Sequence, residues 1–240
     1  MNKISLISGG AKCQYPMTSL NPTLTIGEQI AESLIIHKNL SKKNALDQAW
    51  QLLELVGIPS AKTRLNEYPF QLSGGMRQRV MIAIGIATEP KIIFADEPTT
   101  ALDVTIQAQI MDLLERLRLE LKSSIILITH DIGLVAGFAK NILVMYAGRI
   151  IEMSESEELF ESPQHPYTKG LLGSLPNPST QGQELLSIPG VVPTPEYFPK
   201  GCRFHPRCEY AKDICKVSPP PLAIVSPCHR VACWLFCDHE

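Results

Sequence analysis

The chain has 240 residues, a formal net charge of −2 at pH 7 and a hydrophobic content of 45%. This length suits one large domain, or one domain with an appendage, and the apolar content is ample for a packed core. The charge gives no electrostatic reason to expect a nucleic acid partner, and the sequence has no uninterrupted apolar stretch of the length that a membrane span needs.

The first 13 residues do not have the pattern of an export signal. Their apolar run is short, and Lys12 stands where a signal peptidase needs a small residue. We therefore expect a protein of the cytosol, whose association with a membrane is peripheral.

Two helices are predicted before residue 60. Residues 25–37 place isoleucine and leucine side chains at helical spacing, which predicts the first helix. Ser41 is suited to cap a second helix that continues to Val56, where Gly57 and Pro59 end it.

A third helix is predicted from Ser73 to about Thr88, with Gly74 and Gly75 in its first turn. The N–H groups of a first helical turn lack backbone partners, and the helix dipole favours an anion there. This serine–glycine–glycine helix tip therefore predicts a phosphate-binding segment.

A buried strand is predicted over residues 91–96, because its apolar residues are continuous, as in parallel sheets. It ends in Asp96 and Glu97, a pair of carboxylates suited to hold Mg²⁺ and to activate water. An isolated Asp-Glu pair is usually no more than two solvated acids. The helix tip upstream favours the catalytic interpretation here.

Further elements follow in alternation. Asp103 is suited to cap a helix over residues 104–122, and a second buried strand is predicted over residues 124–129, directly before His130. A β-hairpin is predicted around Ala147-Gly148. Strands alternating with helices indicate an α/β layer built on a parallel sheet.

The last third of the chain has a different composition. Thirteen of the 19 prolines lie after residue 160, and six of the seven cysteines lie after residue 200. This composition predicts a tail that is rich in loops.

Several of these motifs resemble those of ABC-type ATPases. Residues 72–76 resemble the signature motif, and residues 92–97 resemble the Walker B strand with its catalytic glutamate. Residues 101–103 resemble the D-loop, and His130 resembles the switch histidine. Upstream, residues 14–22 resemble the Q-loop of the branch that energises oligopeptide and dipeptide importers, although that branch usually has aspartate where this chain has tyrosine.

The resemblance extends from about residue 14 to residue 233 and implies an organisation. Residues 1–160 would form an ABC-type (P-loop NTPase) nucleotide-binding domain of the α/β class, with a helical subdomain over about residues 25–88. Residues 161–240 would form the C-terminal extension of peptide-importer ATPases.

The resemblance also implies a role for individual residues. Glu97 would polarise the attacking water, and His130 would contact the γ-phosphate of ATP. A lone histidine at a strand end is more often structural, but its position 33 residues after Glu97 favours the functional interpretation. The residues implied in binding ATP and Mg²⁺ are Gln14, Ser73, Gly74, Gly75, Asp96 and Asp103.

One motif of the family is missing from these 240 residues. No segment reads Gly-x-x-x-x-Gly-Lys-Ser/Thr, and only 13 residues precede Gln14. We therefore expect an amino-terminally truncated member whose own P-loop site is inactive. In the family each ATP lies between one P-loop and the other subunit's signature, so we expect at most one competent site in a pair and none in a homodimer.

The cysteine-rich tail resembles an extension in which four cysteines hold an iron–sulfur cluster. Matched residue by residue, the implied ligands are Cys202, Cys208, Cys215 and Cys233. Cys228 and Cys237 have no place in that pattern and are predicted to be spare thiols. A [4Fe–4S] cluster, tetrahedral zinc and free buried thiols remain alternatives, since four thiolates suit either metal centre.

The leading hypothesis is an ATP-binding, energy-coupling subunit of an ABC importer for oligopeptides or dipeptides. Its implied partners are a second ABC ATPase subunit, two membrane-spanning permease subunits and, indirectly, a peptide-binding protein, at the cytoplasmic face of the membrane. One alternative is a catalytically silent metal-binding remnant. Another is a non-transport ABC ATPase acting on DNA or in translation, which the Q-loop-like segment and the cysteine tail disfavour.

Overall fold

The computed structural model describes residues 3–6, 20–175 and 188–237. The chain divides into two units, residues 1–130 and residues 131–240. Gln14 lies outside the described residues.

Two capped helices open the described part of the first unit. Helix α1 (Ile26–Lys38) begins after Thr25, whose side chain and that of Glu28 form a reciprocal capping box. Helix α2 (Lys42–Leu55) begins after Ser41, whose hydroxyl accepts a hydrogen bond from the N–H of Asn44. Gly57 follows the helix with a φ of +76°. Both predicted helices are confirmed.

The segment between α2 and the serine–glycine–glycine tip contains a short helix α3 (Ala61–Arg64) and a 3₁₀ turn (Pro69–Gln71), neither of which was predicted. Helix α4 (Gly74–Ile86) begins after Ser73, as predicted, and Ser73 Oγ accepts a hydrogen bond from the N–H of Met76 at 3.3 Å. Four buried residues from these helices and the turn after α4 form one apolar cluster: Ala31, Leu34, Ala45 and Ala87.

The sheet of the first unit has the order β1-β2-β3. Strands β2 (Ile92–Asp96) and β3 (Ser124–Ile128) run parallel, which confirms the prediction of a parallel pair. Strand β1 (Lys3–Leu6) pairs antiparallel with β2 and was not predicted. Helix α5 (Val104–Leu121) connects β2 to β3 and begins after Asp103, as predicted.

The prediction that β2 and β3 are both buried on two faces is wrong. Ile93 and Ala95 are buried, but Ile92, Ile126 and Ile128 on the opposite face are 38%, 44% and 47% exposed. Burial on two faces requires a packed layer on each side, and the described residues cover the face of Ile93 and Ala95 far more fully than the opposite face. A sheet with one covered face keeps half of its side chains in contact with solvent.

The second unit begins with a short helix and the predicted hairpin. Helix α6 (Ile132–Ala136) precedes β4 (Asn141–Tyr146) and β5 (Arg149–Glu155), which pair antiparallel. The turn residues Ala147 and Gly148 both have positive φ, as a two-residue type I′ hairpin requires. Helices α7 (Ser156–Glu161) and α8 (Pro166–Gly173) follow.

The tail is less irregular than its composition predicted. It contains two 3₁₀ turns (Pro195–Tyr197 and His205–Arg207), helix α9 (Asp213–Val217) and a hairpin of β6 (Ala223–Ser226) and β7 (His229–Val231). Strand β7 also pairs with β5, so the second sheet has the order β4-β5-β7-β6. Among the helices described here, none is long and apolar enough to cross a membrane.

Candidate functional site

The predicted catalytic pair lies at the carboxyl edge of the first sheet. Asp96 is the last residue of β2, and the N–H of Glu97 donates a hydrogen bond to the carbonyl of Ile128, the last residue of β3, at 2.7 Å. Because β2 and β3 are parallel, residues that follow their carboxyl ends meet at one edge. Glu97 has a φ of +49°, an uncommon conformation for a residue other than glycine and one that recurs at functional sites.

The structure brings Glu97 and His130 into direct contact. Glu97 Oε1 lies 3.1 Å from His130 Nδ1, and Glu97 Oε2 accepts a hydrogen bond from the hydroxyl of Thr100 at 3.0 Å. The His130 side chain is 75% exposed and that of Glu97 is 25% exposed. The carboxylate is thus held in one orientation, while the imidazole remains open to a ligand. Such a pair is suited to polarise a water molecule and to contact an anion beside it.

A second group of predicted site residues lies where α4 and α5 begin. Ser73 and Asp103 each cap their helix, and Asp103 Oδ1 accepts a hydrogen bond from the N–H of Ile106 at 2.9 Å. A Cβ at Gly75 would lie only 2.9 Å from Ile106 Cγ2, whereas a Cβ at Gly74 would make an ordinary contact of 3.6 Å with Leu102. The glycine at position 75 therefore lets the signature-like helix tip pack closely on the first turn of α5.

The four cysteines predicted as ligands line one cavity in the second unit. The N–H of Cys202 donates to the carbonyl of Cys215 at 2.8 Å, which fixes two of the four segments against each other. A Cβ at the preceding Gly201 would overlap that same carbonyl, so the junction requires glycine. Cys228 is exposed in the turn between β6 and β7, and Cys237 donates its thiol hydrogen to the carbonyl of Cys233.

All four cavity thiols accept hydrogen bonds from nearby backbone N–H groups. For Cys202, Cys208 and Cys233 one donor is the residue two positions later, and for Cys215 the donor is an N–H 3.4 Å from the sulfur. The donors are Phe204 and His205 for Cys202, Tyr210 for Cys208, Lys212 for Cys215 and Leu235 for Cys233. Donors that converge on sulfur favour its negatively charged form.

Burial acts in the opposite direction on these thiols. It raises the pKa of Cys202 and of Cys208, and it raises the pKa of Cys233 to about 11, with the neighbouring thiols adding to each shift. A metal charge is what stabilises such thiolates at neutral pH. No group of three or more His, Cys, Asp or Glu side chains in the described ranges is arranged to hold a metal ion.

A buried polar network beside this cavity was missed by the sequence analysis. Glu152 on β5 is fully buried and accepts hydrogen bonds from the N–H groups of Gln164 and His165 and from His229 Nε2, at 2.6, 3.0 and 2.7 Å. His229 Nδ1 lies 3.4 Å from Glu158 Oε1. The available signal was a glutamate flanked by Ile151 and Met153 on β5, but its partners are distant in the sequence.

His165 is the cap of α8 and lines the cysteine cavity. Its Nδ1 accepts a hydrogen bond from the N–H of Tyr167 at 3.0 Å. Burial lowers the pKa of His165 to about 4, with the charge of Glu152 opposing the shift, so the ring is neutral at physiological pH. A neutral imidazole that accepts at Nδ1 carries its proton on Nε2.

Two family models match the chain. The model described as ABC transporter matches residues 7–100, and the model described as Oligopeptide/dipeptide transporter, C-terminal region, matches residues 151–215. The oligopeptide transport ATP-binding protein AppD of Bacillus subtilis (strain 168) is 50% identical over 235 residues, which is 98% of this chain and 70% of AppD. The chain belongs to the ABC transporter family.

Two further ABC family relatives match over a similar length. The oligopeptide transport ATP-binding protein OppD of Salmonella typhimurium is 50% identical over 221 residues, covering 92% of this chain and 66% of OppD. The dipeptide transport ATP-binding protein DppD of Lactococcus lactis subsp. cremoris is 52% identical over 236 residues, covering 98% of this chain and 66% of DppD. The chain thus spans about two thirds of the length of these relatives.

Solved ABC structures confirm the predicted fold. The dimeric ATP-binding cassette MJ0796, in a post-hydrolysis state bound to ADP and Pi, has a TM-score of 0.51 at 33% identity, covering 57% of this chain and 59% of that chain. A second dimeric structure of the same cassette has a TM-score of 0.50 at 34% identity, with the same coverage. The resemblance to the oligopeptide and dipeptide branch is confirmed as well, whereas the domain boundary at residue 160 and the roles of individual site residues stay predictions.

Proposed function

We propose that this ABC family member is the ATP-binding, energy-coupling subunit of an importer for oligopeptides or dipeptides, acting at the cytoplasmic face of the membrane. The relatives AppD, OppD and DppD are named as oligopeptide or dipeptide transport proteins, which supports the cargo class. Its partners would be a second ABC ATPase subunit, two permease subunits and, indirectly, a peptide-binding protein.

The observation that carries this proposal is the contact of Glu97 with His130 at the carboxyl edge of the parallel strands. In a site completed by a P-loop, Glu97 would act as general base and accept a proton from the attacking water. His130 would donate a hydrogen bond to the γ-phosphate, and Asp96 would hold Mg²⁺ through water. Bound Mg²⁺ supplies neutralisation of phosphate charge.

The second half of the proposal concerns the helix tip of α4. Ser73, Gly74 and Gly75 would close over ATP that is held by the P-loop of the partner subunit, because exposed N–H groups and a hydroxyl at a helix start bind phosphate. Glu97 and His130 belong to the other half-site, the one whose P-loop motif these 240 residues do not contain. With such a partner, the chain would contribute to ATP hydrolysis by placing its signature residues against the ATP on the partner's P-loop.

An ATPase assay with a modified partner tests this assignment. The partner is a P-loop-bearing ATPase subunit of a related peptide importer, whose own signature serine is replaced by arginine so that its homodimer is inactive. We expect no ATP turnover from either protein alone and measurable turnover from the mixture. Turnover by the chain alone would contradict the proposal.

A catalytically silent, metal-binding remnant is the second candidate. It predicts that the mixture stays inactive while the cysteine cavity still binds metal.

We also propose that Cys202, Cys208, Cys215 and Cys233 hold a [4Fe–4S] cluster, with zinc as the alternative. The support is that all four sulfurs share one cavity and each accepts a backbone N–H, whereas Cys228 is exposed and Cys237 donates its thiol hydrogen. A cluster would cross-link a tail with little apolar core of its own.

Anaerobic purification with iron, sulfide and zinc analysis tests the cluster. We expect equal amounts of iron and sulfide in the unmodified chain and in the control Cys228→Ser. We expect loss of both after Cys215→Ser. Stoichiometric zinc without sulfide would contradict the iron–sulfur assignment.

A further inference from the structure

One residue that lines the cysteine cavity carries a polar atom with no function so far. His165 lines the cavity, is 1% exposed, and its Nε2 has no hydrogen-bond partner within the described part of the chain. The other ring nitrogen is already used, because Nδ1 accepts the N–H of Tyr167. His165, a residue of the cavity lining, therefore carries a buried N–H donor that is left unsatisfied among the described residues, which native structures avoid unless a further group satisfies it.

The ring is held in place from its backbone side. The carboxylate of Glu152 accepts the N–H of His165 at 3.0 Å and is itself bound by His229, which lies against Glu158. These contacts fix the start of α8, and the Tyr167 contact fixes the orientation of the imidazole. Rigid support of this kind is what orients the groups that surround a metal centre.

We propose that His165 donates its Nε2–H to a sulfur atom of the metal–sulfur group that the four cysteines bind. This inference rests on the proposed cluster and adds a positioning residue to it. Sulfur that carries negative charge, as thiolate or as inorganic sulfide, is a suitable acceptor for a buried N–H donor. His165 would retain the group in the cavity and stabilise its reduced, more negatively charged form.

The second histidine in the cavity wall shows why the assignment goes to His165. His205 Nδ1 lies 2.9 Å from the carbonyl of Cys202, so that nitrogen is occupied within the loop that carries the ligand. Its ring is also less buried than that of His165. Of the two imidazoles, His165 is the one whose remaining nitrogen is recorded as buried and without a partner among the residues described.

Two substitutions separate the donor from the helix cap. His165→Asn keeps an oxygen that accepts the N–H of Tyr167 but removes the donor at the Nε2 position. His165→Gln places an amide N–H near that position instead. His37→Asn, at an exposed site on α1, is the matched control for the substitution itself. Thermal unfolding of the full-length chain shows whether each variant folds.

The readouts are iron and sulfide content, the rate of iron release to a chelator, and the reduction potential of the anaerobically reconstituted chain. We expect His165→Asn to release iron about 10–100-fold faster than the unmodified chain and to have a more negative potential. His165→Gln should have an iron release rate and a potential between those of His165→Asn and the unmodified chain. His37→Asn should match the unmodified chain.

Two results would overturn the inference, and they are distinguishable. If the unmodified chain holds iron and sulfide and a folded His165→Asn variant has the same release rate and potential, the hydrogen bond is refuted while the cluster stands. If the unmodified chain takes up no iron and sulfide, the cluster itself is refuted, and the inference with it.

Discussion

The nucleotide edge of the first unit and the cysteine cavity of the second unit differ in how complete they are within one chain. At the edge, Glu97 and His130 contact each other but His130 is largely exposed, and Ser73 at the capped tip of α4 is exposed as well. In the cavity, four thiols, their N–H donors and His165 all come from residues 165–235. The two regions therefore differ in how far their polar groups are enclosed by the chain itself.

This difference indicates what each region is for. A site that another polypeptide completes keeps its groups accessible, and substitutions there are detected as changes in the ATPase activity of a mixture. A site that is complete within one chain buries its groups, and substitutions there are detected as changes in stability and metal content. Substitutions of Glu97 and His130 should leave folding intact, and substitutions at the cavity should change folding first.

The largest effect is expected at Glu152, in the network beside the cavity. Glu152→Ala removes the partner of the buried His229 and of two backbone N–H groups, and breaking a buried pair in this way costs about 3–5 kcal/mol. Urea unfolding in a Trp50→Phe background, with Trp234 as the reporter in the second unit, measures this loss.

Glu155→Ala on the same strand is the matched control for Glu152→Ala. Glu155 pairs with Lys140 at 3.8 Å and is about half exposed, so its loss should cost about 0–1 kcal/mol. Equal destabilisation by both substitutions would show that the buried network does not hold the second unit together.

The next largest effect concerns the signature helix. In the mixture with the modified partner, Ser73→Ala should lower ATP turnover by about 10²–10³-fold, because one positioned donor to the phosphate is lost. Ser41→Ala removes the same kind of helix cap at α2 and should leave turnover near that of the unmodified chain.

Glu97→Gln in the same mixture separates the two half-sites. Under the proposed arrangement it should change turnover far less than Ser73→Ala, because the ATP that is hydrolysed would lie on the P-loop of the partner and not beside Glu97. Loss of turnover with Glu97→Gln would mean that Glu97 acts in the working site after all.

The sequence was sufficient for the elements whose boundaries are set locally. Ser41, Ser73 and Asp103 each cap the helix that they were predicted to cap, since a cap depends on residues only two or three positions away. Glu97 and His130 each follow a strand that was predicted, and two parallel strands bring the residues after their carboxyl ends together, although their direct contact was not predicted.

Long-range pairing set the limit of prediction. The short strands β6 and β7 carry too few residues for a clear alternation, and their position beside β5 is decided by tertiary contacts. The exposure of Ile126 and Ile128 depends on what packs against their face of the sheet, and the unpartnered Nε2 of His165 depends on how α8 meets the cysteine loops. None of these is visible in a local window.

A smaller effect is expected from the close contact of the helix tip. Gly75→Ala places a methyl group 2.9 Å from Ile106 Cγ2, which should destabilise the first unit by about 1–2 kcal/mol after the gain in helix propensity. Gly74→Ala, which meets Leu102 at 3.6 Å, should not destabilise it. Thermal unfolding of both variants and of Gly75→Ala with Ile106→Leu checks this, since leucine lacks the clashing methyl; failure of that rescue would refute the steric cause.

The smallest effect is the acid sensitivity of the metal-free second unit. Burial lowers the pKa of His165 to about 4 in the folded chain, below the ordinary value of 6.5 that it regains on unfolding. Between these values the unfolded chain binds more protons, so stability is full above pH 6.5 and is lost as the pH falls towards 4. From pH 7 to pH 5.5 the loss from this residue should be about 1 kcal/mol. Urea unfolding across this range should show a shallower decline for His165→Asn, and an unchanged decline would mean that another group takes up the proton.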